Sequence, residues 1–225
     1  MKPGRSNGEV HLRTIDVDSW PRKEQFDLFR DAHFAHFNMC ADVDVTEAYR
    51  LAKSRGVPIT TVIVYTIARA ANDIPEFRQR IRGDTVVEHD VVHPSTTVMA
   101  NDELFTFCTP VYDEDFPLFA DRLAETTARV KQNPSLADPP GRDDLLFMTA
   151  IPWVSFTSFS HPILTVPVDS IPRFAWGKFR GDGDSLTMPL SVQGHHAIMD
   201  GLHVGRYYEH IQNYLRDPQA FIRNG

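Results

Sequence analysis

The chain is poor in cysteine, with only Cys40 and Cys108 among 225 residues. They lie far apart and show no metal-ligand spacing, so neither a disulfide scaffold nor a cysteine zinc site is indicated. Both read as small buried apolar groups; a disulfide between them is possible, but nothing requires one. Long apolar runs are also missing, since no stretch approaches the roughly 20 residues that span a bilayer. Segment 1–7 is polar and lacks the apolar stretch of a secretory signal, so a cytoplasmic location away from membranes is expected. Basic charge is scarce: 23 Lys and Arg stand against 30 Asp and Glu, a net charge of -7. That argues against a nucleic-acid-binding face, while leaving room for a few local cations around a phosphate-bearing cofactor. Repeats, low-complexity segments and Gly/Ser linkers are absent, and residues 1–225 are expected to form a single domain.

What remains is an ordinary globular mixture, 42% hydrophobic and 24% charged, rich enough to bury a sizeable core. Helical spacing predicts helices over Thr46–Arg55, Pro58–Asn72, Phe116–Lys131 and Leu202–Leu215, the second of them apolar nearly all round. Pro58 suits a first helical turn. Apolar and β-branched runs predict strands over Leu145–Met148, Trp153–Phe159 and Ile163–Val168. Ser185–Gly194 alternates Leu186, Met188, Leu190 and Val192 with Thr187, Ser191 and Gln193, the pattern of a half-buried strand. Pro189 suggests an edge or bulged position for it. Residues 132–144 (QNPSLADPPGRDD) read as a surface loop. The fold class is α/β, a large mixed sheet with helices packed on it.

The segment with most chemistry is Gln193–Gly201, QGHHAIMDG. A strand runs out at Gly194, a tight turn carries two histidines, and Asp200 opens the last helix. Imidazole suits proton abstraction near neutral pH. Asp200 can bind a structural cation or hold the loop. An isolated H-x-x-x-D reads first as a capped helix start with a satisfied histidine, and it is the doubled histidine, the following glycine and the preceding alternating strand that favour chemistry. A zinc site would need a third ligand that the segment does not supply, so no metal is expected.

HHAIMDG resembles the HHxxxDG motif shared by chloramphenicol acetyltransferases, dihydrolipoyl acyltransferase cores and peptide-synthetase condensation domains. Further segments are similar to the chloramphenicol acetyltransferase family in particular: Ile151–Phe159 (IPWVSFTSF), His203–Tyr214 (HVGRYYEHIQNY), Trp20–Phe26 (WPRKEQF), Pro75–Arg78 (PEFR), Val92–Pro94 (VHP) and Phe174–Phe179 (FAWGKF). The resemblance spans nearly the whole chain. A dihydrolipoyl acyltransferase would carry lipoyl and binding domains ahead of its core, and a condensation domain is far longer with its motif mid-chain.

The resemblance implies an O-acetyltransferase that moves acetyl from acetyl-CoA to a hydroxyl of chloramphenicol. It implies a homotrimer with sites at subunit interfaces and a sheet continued across them. By resemblance His196 is the general base, worth roughly 10²–10⁴-fold, and Asp200 pairs with Arg22 to fix its loop. Thr149 stands where the family places an oxyanion-binding serine; it keeps the hydroxyl on a stiffer, β-branched side chain. Trp153 and Lys178 match coenzyme A positions. Phe29, Phe37, Thr97, Phe105, Phe159, His161 and Ile163 match acceptor-pocket positions, with His161 where the family usually has an apolar residue. Ala175 replaces a threonine. These departures keep a second reading open, the same chemistry on another hydroxylated acceptor. A third is an idle trimeric binding protein that retains the fold.

Overall fold

The computed structural model describes residues 11–100, 103–136, 141–164, 167–182 and 184–222. The readings on segment 1–7, and on residues 137–140 and 165–166 within longer stretches, lie outside the described residues. In chain order, β1 (Leu12–Ile15) and α1 (Lys23–Phe29) are followed by β2 (His36–Asp44), α2 (Thr46–Arg55), α3 (Ile59–Asn72) and the single turn α4 (Pro75–Arg78). Then come β3 (Gln79–Arg82), β4 (Thr85–His89), β5 (His93–Met99), β6 (Phe105–Cys108) and α5 (Phe116–Gln132). The order closes with β7 (Leu145–Ile151), β8 (Arg173–Gly177), β9 (Arg180–Asp182), β10 (Ser185–His195) and α6 (Gly201–Arg216).

The strands form two sheets among the described residues. A 7-stranded mixed sheet runs β2-β10-β8-β7-β5-β6, with β9 also on β10, and a 3-stranded sheet runs β1-β4-β3. β7 is parallel to both β5 and β8, and the other pairings of the large sheet are antiparallel. The expected α/β class with one large mixed sheet is what the chain adopts.

Helices cover one face of this sheet. α3 carries the β-branched run Ile59–Val64, locally unfavourable for a helix, yet every residue from Val62 to Ala68 is buried. Burial at about 1.5–3 kcal/mol per large side chain outweighs a few tenths of propensity. The sheet answers with Leu146, Met148, Phe174, Trp176, Leu190 and Val192, all in the same core. Tyr207 of α6 seals it, with ring centroids 4.9 Å from Phe77 and 5.3 Å from Phe174.

The other face of the sheet differs from the sequence expectation. Trp153–Phe159 and the described part of Ile163–Val168 are irregular chain, not strands. Their apolar content comes from lying across this face. Backbone polar groups are met by side chains instead of a ladder: Ser191 Oγ donates to Phe159 O (2.8 Å), and His161 N–H donates to Gln193 Oε1 (2.8 Å). Gly177 admits this segment, because a Cβ there would stand 2.7 Å from Val154 O.

β10 is accordingly buried on both faces rather than half-buried, with Ser191 and Gln193 at 1% and 4% exposure. It is an interior strand, so Pro189 does not mark an edge. It lies where Met188 and Pro189 stand opposite Gly177, Lys178 and Phe179, an extra residue that makes a bulge in the facing chain. The expected loop 132–144 begins one residue later, because α5 includes Gln132. Cys40 and Cys108 are free; Cys108 is buried, whereas Cys40 on β2 is partly exposed.

Arg80 ties the small sheet to the large one. Its guanidinium is fully enclosed and donates to the carbonyls of Asp143 (2.6 Å), Phe77 (2.9 Å), Gln79 (2.5 Å) and Leu145 (2.6 Å). Burial pulls it down to about 10 against the pull of Asp143, Asp169 and Asp144, so it stays charged at neutral pH. Arg80→Met strands those carbonyls and should cost about 3 kcal/mol or more. Urea unfolding should show a lower midpoint with an unchanged slope; a midpoint equal to wild type would refute this role.

Candidate active site

The turn from β10 to α6 is fixed from several sides. His196 N–H donates to Ala35 O (2.7 Å), and the Ile198 and Met199 N–H groups donate to His195 O (3.0 and 3.1 Å). Ala197 and Ile198 are buried in a small core with Phe26, Ile81 and Val86. Met199 points into the main core, over Gly194, where a Cβ would meet its Sδ at 2.3 Å. Asp200 caps α6, its Oδ1 accepting from Leu202 N–H (3.0 Å). Arg22 staples both ends of the loop: Nη1 donates to Asp200 Oδ2 (2.7 Å) and Nη2 to His196 O (3.1 Å). Burial opposes ionisation of Asp200, but the Arg22 bond, with His203 nearby, holds the carboxyl below its usual range. Asp200 is thus engaged in the loop and its cap.

The His196 ring is oriented by Met199. Nδ1 lies 3.1 Å from Met199 O. A carbonyl can only accept, so Nδ1 carries the proton and Nε2 keeps a lone pair. Phe29 stacks on the ring at 4.3 Å and 18°, and Phe37 leans on it at 5.1 Å. His195 turns inward instead, against His36 at 4.8 Å, with its Nδ1 accepting from Ala197 N–H (3.3 Å). Burial, then the nearby His36, pulls His195 down to about 4, so it is neutral. Only the second histidine of the pair presents a free, oriented nitrogen.

A second group of expected residues gathers elsewhere. Thr97, Phe105, Thr149, Trp153, Phe159 and His161 line a largely apolar cavity of about 1140 Å³, roomy for a small-molecule site. His196, Phe29 and Phe37 do not line it, nor do Ile163 and Lys178. Lys178 is exposed, with its N–H on Val154 O (2.9 Å), beside the 66% exposed Trp153. Sheet register explains the separation. Thr149 pairs with Ala175, which pairs with Ser191; His196 comes about five residues later, so base and hydroxyl are roughly 15–20 Å apart in one chain.

Several supporting groups left little trace in the sequence. Ala35 O and Met199 O hold His196 through backbone atoms that any residue supplies. His203 takes the place of the usual Glu or Gln in a capping box, its Nδ1 accepting from Asp200 N–H (3.0 Å) while Nε2 faces Glu76 Oε1 at 3.4 Å. The D-x-x-H spacing was a readable signal; the distant Glu76 was not. Among the described residues no cluster of three or more His, Cys, Asp or Glu could hold a metal ion. No described helix is long and apolar enough to cross a membrane.

A solved chloramphenicol acetyltransferase superposes with a TM-score of 0.78 at 26% identity, covering 91% of this chain and 100% of that one. The cubic core of a pyruvate dehydrogenase multienzyme complex shares the fold, with a TM-score of 0.61 at 19% identity over 84% of each chain. Sheet, turn and oriented histidine together define the class, an acyltransferase. The family model for chloramphenicol acetyltransferase matches residues 10–212. A chloramphenicol acetyltransferase of Klebsiella sp is 32% identical over 208 residues, 92% of this chain and 95% of the relative. One from Bacillus pumilus is 29% identical over 205 residues, 89% of this chain and 92% of the relative. The chain belongs to the chloramphenicol acetyltransferase family.

The buried histidines make stability depend on pH. Burial, as the largest cause, pulls His195, His161 and His93 each down to about 4, against about 6.5 in an unfolded chain. Between these values the unfolded chain binds more protons, so stability is full above about pH 6.5 and declines as pH falls toward 4. Unfolding midpoints measured from pH 7 to 4 should show that decline, and His195→Gln should flatten it. An equally steep profile in the variant would count against His195 as a contributor.

Proposed function

We propose that this protein transfers the acetyl group of acetyl-CoA to a hydroxyl of chloramphenicol, within a single-domain subunit of a cytoplasmic homotrimer. The observation that carries the reading is the His196 ring, whose Nδ1 is committed to Met199 O, leaving Nε2 as the base. Nε2 takes the proton of the acceptor hydroxyl as that oxygen attacks the thioester carbonyl. Thr149 Oγ1 donates to the carbonyl oxygen as negative charge gathers there, a contribution worth roughly 10²–10³-fold in such sites. His196 then returns the proton to the departing thiolate of coenzyme A. Arg22 and Asp200 keep the loop in place and do not touch substrate. Trp153 and Lys178 supply an exposed aromatic face and a cation for coenzyme A.

Base and oxyanion donor must reach one carbonyl, and the register separates them by roughly 15–20 Å within a chain. A neighbouring copy resolves this: His196, Phe29 and Phe37 of one subunit face the Thr149 cavity of the next. Large apolar side chains left outside support an assembly, with Phe34 at 96% exposure, Leu28 and Leu164 at 70% and Leu202 at 60%. β2 is an edge strand of the large sheet, free to continue the sheet across the contact.

Thiol release from acetyl-CoA with chloramphenicol tests the reading. His196→Ala should abolish turnover, and Thr149→Val should lower kcat about 10²–10³-fold. Unfolding these variants together and refolding the mixture should restore activity to about a quarter of the wild-type level, since about that share of mixed interfaces joins an intact His196 to an intact Thr149. A mixture as inactive as its parts would place both residues in one chain's site and refute the interface.

A further inference from the structure

His161 is the one imidazole among the described residues lining the acceptor cavity, and its ring nitrogens make no formed hydrogen bond. Its backbone N–H is held by Gln193 Oε1 (2.8 Å); the Gln193 side chain also lies near the ring, but neither Nδ1 nor Nε2 makes a formed hydrogen bond within the chain, and both atoms are shielded from solvent. Phe159 covers the ring edge-on at 4.8 Å. The neighbouring polar groups are already engaged. Arg173 donates to Ile171 O (2.9 Å) and pairs with Asp169. Ser191 Oγ is shared between Asn38 Oδ1 (2.7 Å) and Phe159 O (2.8 Å). Gln193 Oε1 is occupied by the His161 backbone itself.

Leaving both nitrogens of an imidazole unmet is unfavourable for the fold, and a leucine would fill the same space without that penalty. Burial, reinforced by the nearby Arg173 and opposed by the Gln193 side chain, keeps the ring neutral, so it offers one N–H donor and one lone pair. A neutral donor and acceptor of this kind suits an uncharged polar group.

We propose that His161 determines acceptor specificity: its unpaired ring receives an uncharged hydroxyl or amide of the acceptor, distinct from the hydroxyl that is acetylated. A turn of the ring about χ2, a broad torsion for imidazole, brings a nitrogen from under Phe159 to the cavity. The acceptor supplies the missing partner, and an analogue lacking that polar group is rejected because the ring stays unmet. The inference rests on the acetyl-transfer reading of the same cavity and adds the chemical class of its ligand.

The test compares wild type, His161→Leu and His161→Asn, the last retaining a donor and an acceptor. His161→Leu should lower kcat/KM for chloramphenicol about tenfold, leave KM for acetyl-CoA unchanged, and raise the melting temperature by a few degrees. His161→Asn should recover most of the lost kcat/KM. An unchanged kcat/KM in His161→Leu overturns the proposal, as does a lower melting temperature, which would show the ring serving the fold. If wild type releases no thiol with chloramphenicol, the acceptor reading falls on its own. The melting temperatures still decide here: a less stable leucine variant overturns the inference, and a more stable one upholds the unpaired ring.

Discussion

Arg22 closes the loop between β10 and α6 at both ends, through Asp200 Oδ2 and His196 O. The rest of the candidate site around His196 depends on that closure. With the loop closed, Met199 O stands within reach of His196 Nδ1, and the ring tautomer follows from it. A partly exposed ion pair of this kind contributes little to stability. Its value is geometric: a long, jointed side chain from the N-terminal region spans a loop that local hydrogen bonds alone would leave able to open. Ala197, Ile198 and Met199 reinforce it by burial in two separate cores.

The large sheet gives its two faces different tasks. The helical face is closed with aliphatic and aromatic side chains and carries most of the buried apolar area. The opposite face is paved by an irregular segment whose backbone is met by Ser191 and Gln193, and the cavity around Thr149 reaches from this segment to α3 and α5. On this less regular face polar groups can be left unmet without unfastening the core. His161 illustrates the trade: a fold optimised for stability alone would place an apolar side chain there.

Much of this was legible along the chain. The four long helices followed from their period, including α3, whose β-branched run argues locally for a strand. The Gln193–Gly201 segment stood out as the candidate reactive turn because a doubled histidine, a following glycine and a preceding alternating strand coincide. The errors have a shared cause. Trp153–Phe159 and Ile163–Val168 have strand composition because they pack on a sheet face, and composition does not record whether backbone groups bond to another strand or to side chains. Ser191 and Gln193 looked solvent-facing for the same reason, since alternation shows two kinds of face but not what covers the polar one.

The sequence by itself determined the fold class and the family, and it singled out the candidate site residues, because period, motif and spacing are properties of neighbours along the chain. Only the tertiary structure decided which of two adjacent histidines is free, which carbonyl sets its tautomer, and that Thr149 and His196 stand on separate parts of one subunit. Those facts depend on strand register and on atoms brought together from distant positions: Arg22 against Asp200, Gln193 against His161. A side chain's partner is fixed by where the chain returns in space, and no local pattern encodes that return.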